Sequence, residues 1–235
     1  MSPATFSLTK RFVLLCEGPA DQIFFRKLLD QRKIQEFDLP PHEQLGRHHG
    51  VAGLGKMLQS LAGDPSGYAK LKGVLIVADS ANNIKATFNS VCKKLKDDGP
   101  FEKPNRFVRP AGPNQITEQF AGHPCISIML IPLGGVGALE TICAKSIVQQ
   151  KPWLAGCVDA YLSCGDIKAL SWRAEKRDKA RLQCMIAALY EKDPNKGLNY
   201  LLRVSPPMFH FRSKAFTPIV KQIQRFRDEV NALRP

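Results

Sequence analysis

Residues 11–29 read RFVLLCEGPADQIFFRKLL, and the fold class follows from this stretch. Residues 11–16 form a short, mostly apolar run, typical of a buried strand that ends just before Glu17. The following Gly-Pro pair predicts a sharp turn, after which hydrophobic residues recur at helical spacing. Asp21 falls in the first turn of that helix, where a carboxylate complements the positive end of the helix dipole. The stretch therefore predicts a strand, a turn and a helix.

The same order recurs twice further along the chain. Residues 73–78 (GVLIVA) are continuously apolar, a pattern typical of strands that are covered on both faces of a parallel sheet, and residues 126–131 (ISIMLI) repeat this pattern apart from Ser127. Helical spacing of hydrophobic residues follows each run, over residues 84–95 and 138–149. Residues 1–150 are therefore predicted to form an α/β domain in which helices flank a central, mostly parallel sheet.

The last third of the chain has a different pattern. Residues 151–235 are predicted to form a C-terminal helical extension that packs on the α/β domain, with residues 173–191 and 214–233 as its clearest helices. Within the α/β domain, the Pro- and Gly-rich residues 98–124 predict an irregular insertion with a short strand at 106–109.

The charge of the chain indicates the kind of partner. Its 235 residues carry a formal net charge of +13, and the pI is near 9.6. Such a field attracts polyanions, and nucleic acid is the first candidate. A protein that its charge merely keeps soluble, or one with an acidic partner subunit, is the alternative.

Other features of the composition indicate where the protein works. No apolar run approaches the roughly 20 residues that a membrane helix needs, and the first residues contain no signal-type stretch. The seven cysteines are an odd number without a repeated spacing, which fits a reducing compartment better than a disulfide scaffold. We expect a cytoplasmic protein without a membrane partner, and a homodimer or a larger assembly stays open.

Three acidic residues fall at or just after the ends of predicted strands. Glu17 follows the first strand, Asp79 follows GVLIVA, and Glu140 lies one turn into the helix after ISIMLI. Ligands of open parallel sheets gather beyond the carboxyl ends of the strands, where such carboxylates can converge on one hard divalent cation. The alternative is that each carboxylate caps the helix that follows it.

Two of these motifs also carry a resemblance. CEGPADQIFFRKLL resembles the Glu-Gly-x-x-Asp-x-x-Phe opening of Toprim domains, which topoisomerases, primases and OLD-family nucleases share. VLIVADSANN falls where those domains have a strand that ends in an Asp-x-Asp pair. More narrowly, the order of CEGPAD, VADSANN, IPLGGVGALE and DKARLQCMIAAL resembles small, stand-alone Toprim-like bacterial proteins, a largely uncharacterised family related to the OLD-type Toprim domains.

The resemblance implies a Toprim-like, Rossmann-like fold with nuclease-like chemistry on nucleic acid. It implies that Glu17 and Asp79 are catalytic and bind Mg²⁺ or Mn²⁺, with Glu140 as a possible third ligand. OLD-type nucleases also use a lysine near the metals, and Lys179 or Lys176 is the candidate here. Some Toprim-like proteins take part in defence against phage, so a defence assembly is a possible setting.

The sequence departs from the Toprim pattern in the aspartate motif. If Asp79 is the second member of Asp-x-Asp, Val77 stands where the first acid belongs; if it is the first member, Ala81 stands at the second position. One carboxylate is missing in both alignments. A two-metal mechanism needs enough acidic ligands for both ions, so one-metal chemistry, or binding without turnover, stays open.

Basic side chains in the C-terminal third are the candidates for contacts with the nucleic-acid backbone. The five predicted contact residues are Lys176, Arg177, Arg181, Arg212 and Lys214. Phe209, Phe211 and Phe216 alternate with polar residues in the same region, so they form either a stacking surface for single strands or part of the core.

A glycine-rich passage comes before the second strand. Residues 50–56 (GVAGLGK) match the first seven positions of a P-loop, but Met57 stands where a P-loop has the Ser or Thr that binds Mg²⁺. A turn whose amide groups contact phosphate at a helix start is the milder interpretation. The sequence thus predicts a metal-dependent enzyme acting on nucleic-acid phosphodiesters, with a non-catalytic nucleic-acid-binding module as the alternative.

Overall fold

A computed structural model describes residues 7–41, 50–98, 109–117, 123–204 and 207–233. The elements, in chain order, are β1 Phe12–Cys16, α1 Pro19–Arg32, β2 Phe37–Asp38, α2 Val51–Leu61, α3 Pro65–Lys70, β3 Gly73–Asp79, α4 Ile84–Asp98, β4 Cys125–Ile131, α5 Leu139–Gln150, α6 Pro152–Leu162, α7 Gly165–Ala169, α8 Ala174–Leu189, α9 Leu198–Leu201, a 3₁₀ turn Lys214–Phe216 and α10 Thr217–Leu233.

The strands form one parallel sheet in the order β2-β1-β3-β4. In its register, Cys16 lies opposite Val77, and Asp79 lies opposite Ile131. The carboxyl ends of β1, β3 and β4 therefore meet at one edge of the sheet. The predicted α/β class, with a parallel sheet flanked by helices and a helical C-terminal part, is confirmed.

Helices cover both faces of the sheet, because successive side chains of each strand point to opposite faces. Phe12 and Leu14 of β1 belong to a core that includes side chains of α1, α5, α6, α8 and α10. Val13 and Leu15 belong to a second core, shared with α2 and α4. The continuously apolar strands are buried on both faces, as their sequences predict.

The predicted boundary between residues 150 and 151 falls between α5 and α6, and the helices beyond it contribute to the same core as α1 and α5. Phe209, Phe211 and Phe216 belong to that core and are at most 4% exposed. The stacking interpretation of these aromatics is wrong, because Phe211 and Phe216 pack against the ring of Phe24 instead. Apart from Arg109, the predicted strand at 106–109 lies outside the described residues.

Residues 51–56 of the glycine-rich passage belong to helix α2 and do not form the extended loop of a P-loop, while a phosphate contact at the start of the helix stays a prediction. Gly53 and Gly55 are buried inside this helix. A Cβ atom on Gly55 would lie 2.3 Å from the backbone oxygen of Lys94, so the absence of a side chain lets α2 approach α4 closely. The P-loop interpretation is therefore wrong. Helix α2 starts at the carboxyl edge of the sheet, where the Gly50 amide donates to the Glu17 carbonyl at 2.8 Å.

All seven cysteines are free thiols. Within the described residues, no helix has the length and apolar character to span a bilayer.

Candidate functional site

The Glu17 carboxyl group lies at the carboxyl edge of the sheet, directly after β1. Burial and the nearby charge of Asp21 raise the pKa of Glu17 to about 7, although a hydrogen bond from the backbone of Asp79 lowers it. Its Oε1 atom is buried and has no hydrogen-bond partner in the described part of the chain. An unpaired acceptor in such a position is costly unless it receives a proton or a cation.

Asp79 ends the neighbouring strand β3 and joins this site to helix α5. Its Oδ1 atom accepts a hydrogen bond of 3.0 Å from the Leu139 amide, at the first residue of α5. Burial raises the pKa of Asp79 to about 8, and the charges of Asp21, Glu17 and Glu140 add to the shift. This contact is with the start of α5 and not with α4, the helix that directly follows Asp79 and that the capping alternative named, and it does not account for the crowding of negative charge around Asp79.

Asp21, the aspartate of the Glu-Gly-x-x-Asp motif, is a member of this site for which the sequence predicted no role beyond the helix dipole. Burial and the charge of Glu140 raise the pKa of Asp21 to about 6, and its own charge in turn raises the pKa values of Glu17 and Asp79. Its position, four residues after Glu17 and in the first turn of α1, was the available signal. We call Glu17, Asp21, Asp79 and Glu140 the acidic cluster.

Glu140 and Lys179 complete the surroundings of the cluster. Glu140 is the second residue of α5, near the positive end of its dipole. The Lys179 Nζ atom lies 2.5 Å from Glu175 Oε1. Burial lowers the pKa of Lys179, but the hydrogen bond to Glu175 and the charges of Glu140 and Asp79 outweigh it and raise the pKa overall.

Contacts between α8 and α5 position Lys179. The Thr141 hydroxyl of α5 donates to Asp178 Oδ2 of α8 at 2.5 Å, one residue before Lys179. Lys176, the other candidate for the catalytic lysine, lies over the Trp172 ring, with its Nζ atom 5.0 Å from the ring centroid. Of the two lysines, Lys179 is the one whose charge interacts with the acidic cluster.

The donor chemistry of the acidic cluster suits a hard divalent cation, because all its side-chain donors are carboxylate oxygens. Within the described residues, however, no group of three or more His, Cys, Asp or Glu side chains is arranged to hold a metal ion. Mg²⁺ commonly takes only one or two carboxylates and completes its shell with water and phosphate oxygens. The cluster fits that incomplete mode of binding and does not form a full protein cage.

Neither candidate position for the missing acid supplies a ligand. Val77 lies inside β3 and is 2% exposed, so an acid there would enter the apolar core. Ala81 lies just beyond the strand and has a φ of 50°. Its backbone exchanges hydrogen bonds of 2.8 and 2.7 Å with Gly137, which holds the turn after β3 against the loop before α5.

The residues predicted to contact nucleic acid differ in whether their side chains already bind other groups of the protein. Arg177 donates to the Leu162 carbonyl at 3.1 Å, and Arg181 forms a double contact with Asp159 at 2.8 and 2.9 Å. Arg212 and Lys214 are exposed and form no ion pair with another described residue. Nucleic-acid binding by Lys176, Arg177, Arg181, Arg212 and Lys214 stays a prediction.

Comparison with known protein families matches residues 11–228 to the family described as "Protein of unknown function (DUF3226)". Neither the curated proteins nor the solved structures contain a match. The matched region includes the sheet, the acidic cluster, and all of α1 to α9. The chain belongs to the DUF3226 family.

Proposed function

We propose that this protein catalyses Mg²⁺- or Mn²⁺-dependent cleavage of nucleic-acid phosphodiesters at the acidic cluster. One observation carries the proposal: four carboxyl groups share the carboxyl edge of the sheet, three of them with raised pKa values, and Lys179 lies beside them. Raised pKa values in a partly buried group of acids are typical of functional sites, because such crowding brings no benefit to a carboxylate with a purely structural role. The net charge of +13 supports a polyanionic substrate.

The proposed roles follow from the position of each group. Glu17 and Asp79 hold the cation, and Glu140 stands beside them as a possible third ligand. A cation bound there polarises a phosphodiester and stabilises the leaving oxygen. Lys179 offsets negative charge on the phosphate. A pKa of Glu17 near 7 also suits a general acid or base at neutral pH.

A non-catalytic module that binds nucleic acid is the second candidate, for example as a component of a phage-defence assembly or of a homodimer in the cytoplasm. Two observations favour it. Within the described residues, no three acidic, His or Cys side chains are arranged to hold a metal ion. The two candidate positions for the missing acid are occupied by Val77, which is buried in the core, and by Ala81, whose backbone pairs with that of Gly137. Such a module needs no cation to bind its partner.

An assay for cleavage with and without Mg²⁺ or Mn²⁺ separates the two candidates. Plasmid, linear duplex and single-stranded substrates are incubated with the wild type, with Glu17→Gln, and with Asp97→Asn as a control on exposed surface of α4. We expect metal-dependent cleavage that Glu17→Gln reduces about a hundredfold or more and that Asp97→Asn leaves unchanged. Cleavage that survives Glu17→Gln, or that persists in EDTA, contradicts the proposal. Salt-sensitive binding without cleavage establishes the module instead.

A further inference from the structure

Two adjoining cavities lie on the C-terminal side of the molecule, away from the acidic cluster. The first, of about 570 Å³, lies among the ends of α5 and α8 and helix α9. The second, of about 550 Å³, extends towards α1 and the segment around Arg212. They share Gln150, Val204 and Pro207 and therefore adjoin each other, and we call the pair of cavities the C-terminal groove.

The charge of the C-terminal groove is almost entirely positive. Among the described residues that line it are one acid, Asp30, and five cations: Lys27, Lys151, Lys192, Arg203 and Arg212. None of these cations forms an ion pair with a carboxylate of the described residues, whereas Arg181 and Arg227 elsewhere on the surface do. The cations occur along both cavities, so the groove suits a ligand with repeated negative charge more than a compact anion.

An aromatic and apolar wall forms one end of the C-terminal groove. The rings of Tyr190 and Tyr200 lie 6.2 Å apart at an angle of 65°, and the Tyr200 side chain is 45% exposed. Ile147, Leu189 and Met208 line the same cavity. The Lys196 Nζ atom lies over the Tyr200 ring, 5.1 Å from its centroid, so a base would stack on the other face of the ring or displace this lysine. A partly exposed aromatic ring beside a positively charged track is the arrangement that binds single-stranded nucleic acid, because each base presents a face that stacks irrespective of sequence.

We propose that the C-terminal groove binds single-stranded nucleic acid, with the phosphates along its cations and one base against Tyr200. A base that is paired and stacked inside a duplex cannot enter such a cavity without being flipped out, which favours a single strand. This proposal adds to the proposed function that the substrate is a single strand, but the residues that support it belong to the groove and not to the acidic cluster. Gln150 lies ten residues after Glu140 on α5, about 15 Å along the helix axis, so one strand can reach both sites.

Binding of a labelled single strand in EDTA tests the groove independently of any cleavage. Fluorescence anisotropy with an oligonucleotide of about 12 nucleotides, within the usual site sizes, gives the Kd at several salt concentrations. We expect Tyr200→Ala to weaken binding about 5- to 100-fold, as expected for the loss of one stacked base. Lys192→Gln combined with Arg212→Gln is expected to lower the salt-dependence slope by about 1.4, or 0.7 for each lost phosphate contact.

Matched substitutions elsewhere on the surface serve as controls. Tyr161→Ala removes an exposed tyrosine from α6, and Lys85→Gln with Lys93→Gln removes two exposed lysines from α4. Circular dichroism and thermal melting establish that every variant folds. Groove variants that bind no more weakly than their controls overturn the inference, as does a mononucleotide that binds as tightly as the oligonucleotide. If the protein cleaves with metal and the groove variants bind as well as the wild type, the groove is not the binding site but the proposed function stands. If binding depends on the groove residues and no cleavage occurs, the groove is the binding site and the proposed function fails.

Discussion

Asp79→Asn is expected to abolish metal-dependent cleavage and, at the same time, to stabilise the metal-free protein at alkaline pH. The loss of a cation ligand should lower the cleavage rate about 100- to 1,000-fold. The gain in stability follows from the crowding of acids around this side chain. An asparagine has an oxygen that can still accept the hydrogen bond from Leu139, so the cap of α5 is retained.

The sign of the stability effect follows from the direction of the pKa shift. Burial, followed by the charges of Asp21, Glu17 and Glu140, raises the pKa of Asp79 to about 8, against about 3.9 for an aspartate in an unfolded chain. The folded protein therefore holds this proton more tightly. The corresponding stabilisation is complete below about pH 4 and is lost as the pH rises through about 8. Glu17 and Asp21, with pKa values raised to about 7 and about 6, act in the same direction.

Thermal melting of the metal-free proteins between about pH 5.5 and pH 9 measures this effect. Near pH 9 we expect the Tm of the Asp79→Asn variant to exceed that of the wild type by about 5–10 °C, equivalent to about 2–4 kcal/mol. The difference should be less than half as large at pH 5.5 and should vanish only below about pH 4, the pKa of the unfolded chain. Mg²⁺ should raise the Tm of the wild type at high pH and leave the variant unaffected, because only the wild type keeps the ligand. A Tm difference that does not depend on pH contradicts the assignment.

Gly55→Ala is expected to lower the free energy of unfolding by about 1–3 kcal/mol. The new Cβ atom would lie 2.3 Å from the Lys94 oxygen and 2.9 Å from Asp98 Cβ, and backbone cannot yield as a flexible side chain can. The α2–α4 contact would have to open, which exceeds the gain of about 1 kcal/mol that alanine normally gives inside a helix.

Gly156→Ala is the matched control for this substitution, and urea denaturation measures both. Gly156 also lies inside a helix, α6, but among the described residues no atom outside the adjacent helix backbone lies within 4 Å of the position that its Cβ would take. Its replacement should therefore raise the free energy of unfolding by about 0.5–1 kcal/mol. An equal response at the two positions would show that packing against α4 does not depend on Gly55.

The fold was predictable where strands are buried on both faces. The runs of β1, β3 and β4 leave little ambiguity, since burial on both faces makes nearly every residue hydrophobic, with the fully buried Ser127 of β4 as an exception. Strand β2 is only two residues long, too short for any periodicity, and it was not predicted. Helices α6 and α7, within residues 153–172, lack a clear pattern because much of α6 is exposed but uncharged. The glycines of α2 were interpreted as part of a loop, because the sequence does not reveal that the close packing of α2 against α4 requires a residue without a side chain.

The candidate site was only partly predictable for a similar reason. Glu17 and Asp79 stand out because they follow strands, and the parallel register brings their strand ends together. Asp21 has an adequate local explanation in its helix dipole, so its interaction with Glu140 is visible only in three dimensions. The five cations of the C-terminal groove are spread between residues 27 and 212, and no local motif connects them.

The central claim is that the acidic cluster binds a divalent cation, and the structure of a crystal soaked in Mn²⁺ tests this claim most directly. Anomalous density is expected at the carboxyl edge of the sheet, in contact with Glu17 and Asp79, at a pH above about 8, where both carboxyl groups are largely ionised. The same density should be missing from crystals of the Asp79→Asn variant. Crystals of the wild type that show no Mn²⁺ between Glu17 and Asp79 at saturating concentration would contradict the claim.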